Sequence, residues 1–120
     1  MKSSIEQVLD KVRHLWPEHD SAEIMAELDR YGVEPHERER DRVQLGILKL
    51  SGGQLKRLPA LVDIAKGDYR DVLAYAEYPE EARLSYEVKR RLPPEELQAI
   101  RARDREKYLR WLHGESKRPA

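Results

Sequence analysis

The segment RVQLGILKL at residues 42–50, followed by Ser51-Gly52-Gly53, is the longest nearly apolar stretch of this 120-residue chain. Because 38% of all residues are charged, a stretch with so few charges is expected to be the most deeply buried element. Val43 and Ile47 fall on one helical face, and the two glycines suit a helix C-terminus, where glycine adopts the left-handed conformation easily. The sequence therefore predicts a central helix from about Pro35 to Ser51, with its first half exposed and its second half buried.

The composition narrows the class of protein. A length of 120 residues fits one domain with a modest hydrophobic core. The chain has no cysteine, which excludes disulfides, thiolate metal sites and cysteine catalysis. Its 23 basic and 23 acidic residues balance, so no global field draws it to nucleic acid or membrane. Neither a signal peptide nor an apolar run of the ~20 residues that span a membrane is recognisable, and we expect a cytoplasmic protein.

Capping and stop signals divide the rest of the chain into short helices. Serine at position 3 or 4 can cap a first helix that ends at Trp16-Pro17, and Asp20 or Ser21 can cap a second that ends at Tyr31-Gly32. No segment has the alternation of a strand. The helices expected after the central one are 54–66 (or a shorter helix starting at Pro59), 69–77, 79–92 with Leu84 and Val88 inward, and a long polar helix, 94–114.

These patterns predict an all-α fold, with six or seven short helices packed around the central buried helix and a long polar C-terminal helix. Residues 1–92 are expected to form the helical core domain. Residues 93–114 would be the C-terminal helix, either docked on the core or projecting from it. Residues 115–120 would be a flexible tail.

The C-terminal helix carries the candidate interaction site. Residues 101–107 contain almost nothing apolar, and an aromatic and aliphatic cluster follows them. Either the polar middle is a solvated face and the cluster packs on the core, or the cluster contacts a second copy or another protein. Aromatic residues commonly anchor such interfaces. The candidate partner-binding residues are Tyr108, Leu109, Trp111 and Leu112.

Nucleic-acid binding is the alternative function, because basic residues are concentrated in the same helix and could contact phosphates. Asp104 and Glu106 interrupt the basic run, however, and the basic side chains point in different directions around the helix, so no single basic stripe results. The candidate residues are Arg101, Arg103, Arg105, Lys107 and Arg110.

The other clusters of reactive residues give weak signals. His14 and His19 flank a proline, so they lack the continuous helical spacing of a two-histidine zinc motif. Acids and arginines alternate over residues 34–42, which is typical of a solvated, self-neutralising helix face. We therefore expect no catalytic residue, no metal site and no cofactor. An enzyme would require a pocket that joins residues distant in sequence, such as His14, Trp16, Tyr31 and Asp71.

Three stretches resemble a group of short bacterial helical proteins of no known activity: DRYG at residues 29–32, RVQLGILKLSGG at 42–53 and DYRDVLA at 68–74. The resemblance covers residues 3–80 and leaves out the terminal helix. It implies a small bacterial cytoplasmic helical protein and assigns no functional residue. The expected function is thus non-enzymatic protein interaction or adaptor activity, including self-association through the C-terminal helix.

Overall fold

The computed structural model describes residues 3–114, and every regular element in this range is a helix. The predicted all-α fold is therefore confirmed. The predicted tail, 115–120, lies outside the described residues. The elements are α1 (Ser4–Leu15), α2 (Ser21–Leu28), α3 (Arg40–Ser51), a 3-10 turn (Leu55–Arg57), α4 (Leu58–Gly67), α5 (Tyr69–Glu77), α6 (Pro79–Ala82), α7 (Tyr86–Arg91) and α8 (Pro94–Leu112).

The chain divides into two compact units, Met1–Leu73 and Ala74–Ala120, and the boundary falls inside α5. This division comes earlier in the chain than residue 92, where the sequence predicted the core domain to end. Within the described range, no helix has both the length and the apolar character needed to cross a membrane.

Helix α3 is the buried centre of the first unit. Its residues Val43, Ile47 and Leu48 are at most 1% exposed, and α1 and α4 pack against it. Gly52 ends the helix in the left-handed conformation, with φ of 60°, as the two glycines indicated. Gln44 is polar but also buried, and its side-chain amide donates to the carbonyl oxygens of Leu28 and Tyr31 and to the carboxylate of Asp29. The second half of the predicted central helix is therefore confirmed.

The predicted start of the central helix at Pro35 is wrong, since α3 begins at Arg40. Glu39, the residue before it, has a φ of 51°, which a right-handed helix cannot continue through. Glu37 is not on an exposed helix face either. Its carboxylate turns back and accepts the backbone N–H groups of Gly32 and Val33 at 2.8 and 3.0 Å, so these residues form a closed loop.

Most of the other boundaries follow local signals. Ser3 caps α1 by accepting the N–H of Glu6, and Asp20 caps α2 by accepting that of Ala22. Pro59 lies in the first turn of α4, so the shorter of the two predicted helices is the observed one. The helix predicted over 79–92 is divided instead into α6 and α7, because Ser85 accepts the N–H of Val88 and starts a new helix. Val88 is 45% exposed, so its predicted inward position is wrong.

Candidate interaction site on the C-terminal helix

Helix α8 has 19 residues, which gives a length of about 28 Å. Pro94 occupies its first turn together with two glutamates, as a helix N-terminus favours. At about 100° per residue, one face of the helix carries a stripe that runs along its whole length. The stripe consists of Leu97, Ile100, Asp104, Tyr108 and Trp111.

Asp104 is the buried centre of this stripe, and its side chain caps another helix. The residue is 1% exposed, and its two carboxylate oxygens accept the backbone N–H groups of Glu80 and Glu81, each at 3.1 Å. Tyr78, which precedes α6, supplies no side-chain cap. The N-terminus of α6 thus obtains from α8 the acceptors that a local Ser, Thr or Asp would normally provide.

Ion pairs flank Asp104 on both sides. Arg101 donates from Nε and Nη2 to the two carboxylate oxygens of Glu81, at 2.9 and 3.0 Å, and Arg103 donates to Glu80 at 2.5 Å. Lys89 of α7 lies 3.1 Å from the same Glu81 carboxylate. The hydrogen bond from Arg101 lowers the pKa of Glu81 despite partial burial, with Lys89 adding to the effect, and the hydrogen bond from Arg103 lowers the pKa of Glu80. Both glutamates therefore act as anions.

The candidate nucleic-acid residues are largely engaged by carboxylates of their own unit. Arg101 and Arg103 pair with α6, and Arg110 donates to Glu106 one turn earlier on α8, at 2.6 Å. Arg105 and Lys107 are exposed. The five residues lie on several sides of the helix, so the structure gathers no continuous basic surface from them.

The candidate partner-binding residues divide between two sides of α8. Tyr108 is 4% exposed, and its ring lies 5.7 Å from that of Trp111, tilted by 41°. Trp111 and Leu112 are half-buried, as is Leu109, which lies about 140° around the helix axis from Asp104. The structure thus brings Tyr108 and Trp111 together on the Asp104 face and places Leu109 on a different side.

The residues considered for an enzyme pocket have structural partners or lie at the surface. The Trp16 indole donates to the carbonyl oxygen of Gly53 at 3.0 Å, and the Tyr31 hydroxyl donates to that of Arg38 at 2.7 Å. Burial, together with the negative charge of Glu37, raises the pKa of Tyr31 to about 12, so this side chain stays a neutral donor. His14 and Asp71 are exposed. Within residues 3–114, no three His, Cys, Asp or Glu side chains are grouped so that they could hold a metal ion.

Two acids that sequence reasoning placed at the surface are buried. Glu37 was assigned to a solvated helix face, and Asp104 only to an interruption of the basic run. For Asp104 a signal did exist, because it is spaced four residues from both Ile100 and Tyr108 and so lies on the apolar stripe. Glu37 gave no such signal, since the loop that buries it has no regular period.

Comparisons with protein-family models, curated proteins and solved structures found no match to this chain. Only the geometry of α8 and its neighbours therefore bears on function. The resemblance of residues 3–80 to bacterial helical proteins stays a prediction.

Proposed function

We propose that this is a non-enzymatic protein-interaction protein that self-associates through the C-terminal end of α8. The observation that carries the proposal is the partial exposure of two large apolar side chains at the end of α8, Trp111 and Leu112. Leu109 is partly exposed as well, but it lies on another side of the helix. Tryptophan is among the residues that most often dominate the binding energy of an interface when a partner completes its burial. A small bacterial cytoplasmic protein, as the resemblance implies, belongs to the same proposal.

The ion pairs of α8 favour protein interaction over nucleic-acid binding. A nucleic-acid backbone binds lysine and arginine side chains, which displace the counterions condensed on its phosphates. In this protein, Arg101, Arg103 and Arg110 already donate to carboxylates. Contact with phosphate would first require these pairs to separate.

The test is the solution mass of the full chain, measured by light scattering over a range of protein concentrations. We expect the mass to rise from monomer to dimer as the concentration increases. Leu112→Glu should weaken dimerisation by placing a charge beside Trp111 in the contact, and Trp111→Ala should weaken it by removing the anchor. Tyr86→Ala is the matched control, because Tyr86 is an aromatic residue of the same unit that belongs to α7 and is 74% exposed.

A mass that stays monomeric at every concentration would contradict self-association. So would an equal effect of the three substitutions. Helical content and melting temperature, measured by circular dichroism, distinguish self-association from packing within the unit. If Trp111→Ala greatly lowers the melting temperature without changing assembly, Trp111 packs only within its own unit. Salt-sensitive binding of a labelled oligonucleotide by the full chain would support the alternative function instead.

A further inference from the structure

Helix α6 depends on α8 for its existence as a helix. It has only four residues, Pro79–Ala82, and a helix this short is unstable in isolation because nucleation costs more than so few hydrogen bonds return. Two of its N-terminal N–H groups, those of Glu80 and Glu81, are satisfied by Asp104. Formation of α6 and its docking on α8 are therefore one event.

The segment that contains α6 and α7, residues 78–92, contributes no fully buried residue. In α7 every residue except Lys89 is exposed, including Tyr86 and Val88. The contacts that hold this segment to α8 within the unit include polar ones: the Asp104 cap and the pairs of Glu80 and Glu81 with arginine. Segments with few buried apolar contacts open at a lower free energy than the core of a protein.

The backbone is non-helical at both ends of this segment. Tyr78, between α5 and α6, has a non-helical backbone with φ of −134°. At the other end, Leu92 and Pro93 are extended, with ψ of 140° and 144°. Pro93-Pro94 cannot propagate a helix backwards, so α7 and α8 are separate helices joined by an extended link.

We propose that residues 78–92 form a strap that docks on α8 and is released from it as one unit, with Asp104 as the fastening group. In the docked state the strap covers the Asp104 side of α8 and holds Arg101 and Arg103. Release exposes the buried carboxylate and frees both arginines. The strap thereby controls access to the middle of α8, independently of whether the end of that helix self-associates.

Amide hydrogen exchange of the full chain, resolved by NMR, tests the strap. In the wild-type protein, the N–H groups of residues 80, 81, 82 and 84 should exchange through an opening of lower free energy than those of α3. Salt should accelerate their exchange and leave α3 unchanged, because the pairs of Arg101 and Arg103 are half-exposed and screened. If these N–H groups and those of α3 exchange through openings of the same free energy, the proposal is overturned.

Asp104→Asn is the decisive variant. An amide side chain has one oxygen where the carboxylate has two, so one N–H of α6 would face a second donor. The four strap amides should exchange about tenfold faster or more, the effect of leaving a buried donor without an acceptor, while α3 is unchanged. Glu106→Gln is the matched control, because Glu106 is an exposed acid on the same helix and its loss removes the same charge.

Unchanged protection of the strap in Asp104→Asn would show that Asp104 is not the fastening group. A loss of protection in α3 together with the strap would show that the segment does not open as a separate unit. If the variant is too unstable to study, the exchange rates of the strap and of α3 are compared in the wild-type protein at low and high salt. Faster strap exchange at high salt with α3 unchanged supports the proposal, and an equal response of both contradicts it.

Discussion

At the scale of single residues, two acids show why charge alone does not predict exposure. The Glu37 side chain is 1% exposed and lies 2.8 Å from Lys66 Nζ, in addition to its bonds from Gly32 and Val33. Burial by itself raises the pKa of Glu37, but the hydrogen bond from Lys66 and those from the backbone N–H groups lower it to about 2. The burial of Asp104 has the same explanation, because each of its carboxylate oxygens accepts a hydrogen bond from a backbone N–H group. A buried charge is tolerated where its hydrogen bonds are complete.

Glu37→Gln should therefore destabilise the first unit. The amide nitrogen would face either the Lys66 ammonium or the loop N–H groups, so donors would be left opposing one another. We expect a loss on the order of 2–4 kcal/mol in the free energy of unfolding, as when one partner of a buried pair is removed. Urea unfolding followed by circular dichroism measures it. Glu34→Gln, an exposed neighbour in the same loop, should change stability by less than about 0.5 kcal/mol.

The pKa of Glu37 also predicts how stability depends on pH. Because the pKa falls from 4.5 to about 2 on folding, the folded protein binds fewer protons than the unfolded chain in this interval. The stabilisation that the Glu37 carboxylate contributes is complete above pH 4.5 and is lost as the pH falls through about 2. The difference in unfolding free energy between wild type and Glu37→Gln should be constant above pH 5 and shrink below pH 4.5. A difference that stays constant down to pH 2.5 would contradict the assignment.

At the scale of helices, local caps were predictable and distant ones were not. Ser3, Asp20 and Gly52 act within a few residues of their own helix end, so the sequence indicates them directly. By contrast, Asp104 caps α6 across 23 residues or more, and Gln44 closes the end of α2 across 16. Such contacts arise only after the helices pack, and for this reason the sequence predicted the helices better than the links between them.

Gln44→Leu tests the link between α3 and α2. Leucine has a similar size but cannot donate, so the carbonyl oxygen of Tyr31 and the carboxylate of Asp29 would each lose a donor. The carbonyl oxygen of Leu28 would keep only the N–H of Tyr31. The unfolding free energy should fall by about 2 kcal/mol or more, since an unsatisfied buried carbonyl costs on the order of 1–3 kcal/mol. Gln54→Leu, the same substitution at an exposed position, should have almost no effect in the same urea titration. Equal stability of the two variants would mean that Gln44 merely fills space.

At the scale of the whole molecule, the buried apolar residues are distributed unequally between the two units. Among the described residues, every buried hydrophobic side chain except Ala76 and Tyr108 belongs to Met1–Leu73. The sequence predicted the all-α fold and the buried centre, because both follow from period and composition. It did not predict a boundary inside α5, since a continuous helix gives no composition change where the packing changes.

This distribution predicts that the second unit unfolds at a lower urea concentration than the first. Each unit contains one of the two tryptophans: Trp16, which is 6% exposed, and Trp111, which is half-buried beside Tyr108. Replacement of both by 5-fluorotryptophan in the full chain gives one ¹⁹F NMR signal for each unit. Trp111→Phe, a substitution that keeps an aromatic ring next to Tyr108, assigns the two signals.

The Trp111 signal should shift to its unfolded position first, because a unit with little buried apolar surface has less hydrophobic free energy to offset the entropy of folding. A single midpoint for both signals would instead mean that the two units unfold as one cooperative structure, with the polar contacts of α8 as stable as the apolar core around α3.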